Sequence, residues 1–97
     1  MYVILTSKPG QFRTEIGEDM QPVEAYDYLF CGRKRAHFVI ANLARDTKIT
    51  IVDESNPPVV NRVPSKFLAK FDTVEAARRE LSSLTRFGDM DSSLVKC

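Results

Sequence analysis

The stretch Tyr26-Asp27-Tyr28-Leu29-Phe30-Cys31-Gly32-Arg33-Lys34-Arg35-Ala36-His37-Phe38-Val39-Ile40 decides the fold, because two periods fit it. Within residues 23 to 43, Ala25, Leu29, Gly32, Ala36, Val39 and Leu43 recur at helical spacing, and Pro22 could open a helix at its first position. The β reading competes through Tyr26, Tyr28, Leu29 and Phe30 on one side and Phe38, Val39 and Ile40 on the other, residues with strong strand preference. Gly32 would weaken a helix by about 1 kcal/mol relative to alanine, whereas Gly32 with Arg33, Lys34 and Arg35 suits an exposed hairpin loop. We therefore read two antiparallel strands here. The register follows from pattern, since a slip of one residue exchanges the faces of one strand against the other. With Phe30 opposite Ala36, the side chains of Tyr26, Tyr28, Phe30, Ala36, Phe38 and Ile40 share a core face. Asp27, Leu29, Cys31, Arg35, His37 and Val39 then form a mixed, partly exposed one. The alternative register mixes the aromatics with His37 and gives two half-apolar faces.

Towards the N-terminus, Ser7-Lys8-Pro9-Gly10-Gln11 has proline at the second position of a turn and glycine at the third, the requirement of a type II turn. Its flanks, residues 2 to 6 and 12 to 16, are rich in aromatic and β-branched residues and predict a first hairpin. Residues 17 to 21 are acidic and polar, and Pro22 is expected to close a connecting loop.

Towards the C-terminus, Lys48-Ile49-Thr50-Ile51-Val52 alternates as a strand, and Asp53-Glu54-Ser55-Asn56-Pro57-Pro58 ends it. Residues 59 to 63 make a further strand that Pro58 and Pro64, lacking amide hydrogens, confine to an edge. Residues 66 to 71 fit either one helical turn through Phe67, Leu68 and Phe71 or a strand through Phe67, Ala69 and Phe71. Asp72-Thr73-Val74-Glu75 has the spacing of a capping box, with Asp72 as the cap. It predicts a helix over about residues 73 to 86, with Val74, Ala77, Leu81 and Leu84 as its apolar stripe and Gly88 as its stop. The tail from about residue 89 is polar except for Met90, Leu94 and Val95 and is expected to be loosely held.

At 97 residues and 11.0 kDa the chain makes one domain, and its 43 % hydrophobic and 28 % charged residues are ordinary for a globular protein. The strand-rich order before a single long helix predicts an α+β fold: one curved antiparallel sheet of about four to six strands packed on a C-terminal helix. No apolar run approaches the roughly 20 residues that span a bilayer. Residues 2 to 5 are too short for a signal-peptide core, so no membrane association is expected and the cytoplasm is the default compartment.

Formal charge is +1, which denies a global argument for nucleic acid, yet its distribution is uneven. Residues 1 to 31 carry Lys8 and Arg13 against Glu15, Glu18, Asp19, Glu24 and Asp27, a net of −3. Residues 32 to 49 carry Arg33, Lys34, Arg35, Arg45 and Lys48 against Asp46 alone, a net of +4. A basic hairpin tip beside aromatics can grip phosphates and stack bases, with Arg33, Lys34 and Arg35 central and Arg45 and Lys48 secondary. The same residues also suit a solvated turn above core aromatics.

Cys31 and His37 would share a face at diagonal positions, where imidazole could activate the thiol as a nucleophile beside Arg33 or Arg35. The signal is weak, since a free cysteine is more often a small buried hydrophobe and a lone histidine more often a surface or core residue. Two cysteines without a CxxC pair and one histidine do not complete a four-ligand metal site unaided, so the sequence assigns no metal and no cofactor. GxGxxG, GKS or GKT, GxSxG and HExxH are all absent. The residues therefore favour a small non-catalytic binding or accessory protein acting through a protein partner, with a homodimer through an exposed sheet edge as a side expectation. Nucleic-acid binding and a Cys31/His37 enzyme are the alternatives.

Overall fold

Two 11-residue strands, β3 (Met20–Phe30) and β4 (Arg33–Leu43), fold back on one another through the two-residue turn Cys31-Gly32 in a computed structural model that describes residues 1–85 and 92–97. Both turn residues have positive φ, 52° at Cys31 and 75° at Gly32. That combination belongs to a type I′ turn, whose twist matches that of the strands. The hairpin is thus tighter than the sequence suggests. Arg33, Lys34 and Arg35 lie in β4 rather than in a loop, and Phe30 faces Arg33 instead of Ala36. Tyr28 takes the place opposite Ala36, with Tyr26 opposite Phe38. A shift of two residues preserves the faces, so the aromatic face survives up to Tyr28. Beyond it a bulge at Arg35 breaks the alternation of β4, and the Arg35 guanidinium lies over Phe30, 5.9 Å from its ring centre.

Among the described residues the remaining strands are β1 (Tyr2–Ser7), β2 (Phe12–Thr14), β5 (Lys48–Asp53), β6 (Val59–Pro64) and β7 (Ser92–Lys96), and the one α-helix is α1 (Val74–Thr85). The protein is α+β, and its described residues form seven antiparallel strands in two sheets ordered β1-β4-β3-β7 and β2-β5-β6. Among the described residues no helix is long and apolar enough to cross a membrane.

Two sheets form because β1 and β4 are apolar on both faces. Alternate residues Ala36, Phe38 and Ile40 pack with Tyr2, Ile4, Tyr26 and Tyr28 under Ala77 and Leu81 of α1. The intervening Val39, Ala41 and Leu43 join Val3, Leu5 and Met20 against Ile49, Ile51 and Leu68 on the side of the second sheet. A strand covered on both sides reads as a continuous apolar run rather than an alternating one.

The expected first hairpin is a corner between the sheets. Lys8-Pro9-Gly10-Gln11 turns as anticipated, with Gly10 at φ 78° and the Gln11 amide donating to the Lys8 carbonyl at 3.0 Å. Yet β1 pairs with β4, β2 pairs with β5, and only the bridge between Lys8 and Phe12 joins them directly as strands. Thr14 fixes the corner by donating its hydroxyl to the Thr6 carbonyl at 2.5 Å and its amide to the Ser7 hydroxyl at 2.9 Å. Pro22 lies within β3, not in a loop. Val23 next to it is a bulge, and among the described residues the stretch before Ala25 has no partner on its β7 side, so the missing amide hydrogen costs no ladder bond there. Both β5 and the edge strand β6 occupy the predicted segments. Residues 66 to 71 make neither a full helical turn nor a strand: a 3-10 turn covers Ser65–Phe67, and Phe71 exchanges two 2.8 Å backbone bonds with Tyr2.

In α1 the cap is Thr73, whose hydroxyl accepts from the Ala76 amide at 3.0 Å, one residue later than the capping box at Asp72 implies. Ala77 and Leu81 are buried, while Leu84 is largely exposed. Gly88, Asp89 and Met90 lie outside the described residues. Ser92–Lys96, expected as part of a loose tail, is β7 on the edge of β3, with Leu94 packed beneath the helix. Glu24 anchors this arrangement. Its side chain, only 8 % exposed, accepts from Arg78 of α1 through both oxygens, from the Tyr26 hydroxyl at 2.7 Å and from Lys96 of β7 at 3.4 Å.

Two outcomes follow from these contacts. Leu81→Asp buries an unpaired charge and should cost more than about 3 kcal/mol, whereas Arg79→Asp on the exposed side should stay within about 0.5 kcal/mol, as read by denaturant unfolding. The Arg78 guanidinium, with the Tyr26 hydroxyl and Lys96, holds the Glu24 carboxyl at about 2, below its ordinary value of 4.5. A depressed folded-state value contributes stability above pH 4.5 that is lost as pH falls towards 2. In melting curves, Glu24→Gln should be less stable than the parent at neutral pH, and the gap should close between pH 4.5 and 2.

Candidate functional site

Strands β3, β4 and β7 bring three chemically capable side chains to one face. His37 stands directly opposite Asp27 in the β3–β4 register, and its Nδ1 lies 2.7 Å from Asp27 Oδ1. Cys97 follows β7 and donates its amide to the Ala25 carbonyl at 2.9 Å, so that it lies on the same face as Asp27, two positions along. One ligand atom from each of Asp27, His37 and Cys97 falls within 4.8 Å of the others. Among the described residues this is the one grouping of three such side chains. It lies beyond the part of the sheet where Val39, Ala41 and Leu43 pack, which leaves the Asp27 and His37 side chains half-buried and Cys97 exposed.

Lys34 adds a cation, its Nζ 3.2 Å from Asp27 Oδ1. His37 and Lys34 together hold the Asp27 carboxyl below the usual carboxylate range. The Cys97 thiol is pushed up by partial desolvation and by the Asp27 carboxylate to which it hydrogen-bonds. Electronically that is the reverse of an activated nucleophile, which needs a thiolate favoured by nearby positive charge.

The anticipated Cys31/His37 pair is not assembled. Cys31 is in the turn at positive φ, four residues along from Asp27, or roughly 13 Å at strand rise, while His37 is level with Asp27. The cysteine that meets His37 is Cys97. Sequence reasoning missed it by assigning the last residues to a loose tail. The available signal was the shared parity of Asp27 and His37 in the hairpin together with the apolar Leu94 and Val95 ahead of Cys97.

The basic residues are brought together only in part. Arg33, Lys34 and Arg35 begin β4, whereas Arg45 and Lys48 lie past its far end, roughly 30 Å away at strand rise. Arg45 Nε donates to Asp19 at 2.9 Å, Lys34 is paired with Asp27, and Arg35 covers Phe30. The apolar cleft between the sheets, lined by Leu5, Phe12, Ile49, Ile51, Val63 and Leu68 among others, has a volume of about 140 Å³. It falls well below the roughly 300 Å³ at which small-molecule sites begin.

No protein-family model, curated protein or solved structure matches the chain.

A different surface feature stands at the opposite sheet. Strand β6 is bonded to β5 on one side and is the outer strand of its sheet. Val59 and Val60 on it are 50 % and 61 % exposed, and Phe67 just beyond it is 72 % exposed. Pro58 and Pro64 frame the segment, leaving five consecutive residues able to offer amide hydrogens.

The position of Cys31 gives a direct check on its role. An L-residue other than asparagine or aspartate is strained at φ 52°, and Asn-Gly is the favoured type I′ pair. Cys31→Asn should therefore raise unfolding stability by about 0.5 to 1 kcal/mol in chemical denaturation. A loss of stability would mean that the thiol, not the turn, governs this position.

Proposed function

We propose that this protein is a small, non-catalytic cytoplasmic binding or accessory protein, and that β6 is the element by which it contacts a protein partner. The observation that supports this reading is the open outer edge of β6 with Val59 and Val60 exposed along it. Unpaired main-chain groups on an edge strand add an incoming strand, with main-chain bonds giving affinity and alternate side chains giving selectivity. The two framing prolines limit the paired length to about five residues, which suits a short extended segment rather than a whole sheet. Arg62 and Lys66 lie towards one end of this edge, so a segment with apolar alternate residues and a carboxylate at that end is the complementary ligand.

Bond-making chemistry has less in its favour. Among the described residues the one set of nucleophile, base and orienting group, Cys97 with His37 and Asp27, has its thiol bonded to the carboxylate and shifted towards the protonated form. Nucleic-acid binding through Arg33, Lys34 and Arg35 lacks the continuous basic surface that Arg45 and Lys48 were expected to complete.

The reading is tested by recovering tagged protein from its host beside Val60→Lys and identifying the bound macromolecules. A lysine on the edge blocks strand addition but changes folding stability by no more than about 0.5 kcal/mol. The expected result is a protein partner retained by the parent and lost by the variant, with amide exchange at residues 59 to 63 slowed in the complex. An unchanged partner set would overturn the assignment of β6. Oligonucleotide binding whose logarithmic salt slope is about 0.7 to 0.9 per phosphate contact would overturn the partner class itself.

A further inference from the structure

We propose that Asp27, His37 and Cys97 form a binding site for a borderline-soft divalent cation, zinc first among them, held by one carboxylate oxygen, one imidazole nitrogen and one thiolate. The site is independent of β6 and of any partner bound there.

Three features of the arrangement support it. First, the donors come from three neighbouring strands on one sheet face, with ladder bonds fixing Asp27 opposite His37 and the Cys97 amide on the Ala25 carbonyl. The backbone positions are therefore set before any ion arrives, and only side-chain rotations remain. Second, the donor atoms already lie within 4.8 Å of one another. Tetrahedral zinc with bonds of about 2.0 to 2.3 Å places its donors roughly 3.3 to 3.7 Å apart, so a contraction on the order of 1 Å completes the set. The 2.7 Å contact between Asp27 and His37 opens slightly in the process, as the ion takes the position between them. Third, a sulfur, a nitrogen and an oxygen together select zinc over magnesium and calcium, which take oxygen donors. The thiol proton passes to bulk water as the sulfur–metal bond forms, and a water molecule fills the fourth position.

Lys34 sets a limit on affinity. Its ammonium, 3.2 Å from Asp27 Oδ1, competes with the cation for the carboxylate. Removing that charge should tighten binding, an outcome that a general loss of structure cannot mimic. Binding also links β4 to the end of β7 across β3, so the ion should raise the melting temperature with the logarithm of its free concentration once that exceeds Kd.

The test uses the full chain without a histidine tag, stripped of metal, and titrated with Zn²⁺ by calorimetry and with Co²⁺ by absorbance. The expected result is one ion per chain, a thiolate-to-cobalt charge-transfer band, and a melting temperature raised by Zn²⁺ and restored by chelator. Cys97→Ser and His37→Gln should each weaken Zn²⁺ at least tenfold, with Cys97→Ser also abolishing the cobalt band. Cys31→Ser should change neither, and Lys34→Gln should tighten binding several-fold. Melting curves recorded without metal establish that each variant is folded. Absence of Zn²⁺ binding by the parent would overturn the proposal. So would a cobalt band that survives Cys97→Ser or disappears with Cys31→Ser, or weaker binding by folded Lys34→Gln.

Discussion

The rest of the structure depends on one constraint: β4 is apolar on both faces and has to be covered twice. Phe38 and Ile40 point to one side of the sheet, Val39 and Ala41 to the other, and β1 beside it repeats the pattern with Ile4 and Leu5. Burial of such side chains is worth about 1.5 to 3 kcal/mol each, so neither face can be left to water. Helix α1 covers one and the β2-β5-β6 sheet covers the other. The turn at residues 8 to 11 carries the chain from the first sheet to the second, and the last strand returns to the first.

This constraint also sets where function can reside. At the middle of β4 both faces are occupied by core. At its start, from Arg33 to His37, the second sheet no longer covers it, and polar side chains appear on that face: Asp27, His37 and, from the end of β7, Cys97. Glu24 ties this end to α1 through Arg78 and to β7 through Lys96, and so helps to hold β7 in the register that delivers Cys97. The second sheet has a different character. Its outer strand β6 has little core beneath it and presents Val59 and Val60 outward.

Much of the local structure was legible in the sequence because local chemistry determines it. The Pro9-Gly10 turn, the alternation of β5, the prolines framing β6 and the Ala77–Leu81 face of α1 need no knowledge of distant residues. The pairing of the aromatic face was legible too, since Tyr26, Tyr28, Phe38 and Ile40 alternate. What escaped depends on distant covering surfaces or on competition between adjacent residues. The division into two sheets hinges on what covers Val3 and Leu5, which periodicity alone does not specify. The register slipped by two because Cys31 accepts a positive φ that its side chain does not advertise. Thr73 displaced Asp72 as cap by a choice between neighbouring hydroxyl and carboxylate groups. The expected Cys31/His37 pair depended on both the turn and the fate of the last residues. A two-residue turn removes Cys31 from the strand, and pairing of β7 brings Cys97 in its place.

The double covering of β4 is most directly tested by methyl-to-methyl nuclear Overhauser contacts in the folded protein. Leu5 and Val3 should show contacts to Ile49, while Ile40 should show contacts to Ala77 and Leu81, the two sets remaining separate. Contacts from Leu5 and Ile40 alike to Leu81, with none from Val3 or Leu5 to Ile49, would mean a single core and would contradict the two-sided account.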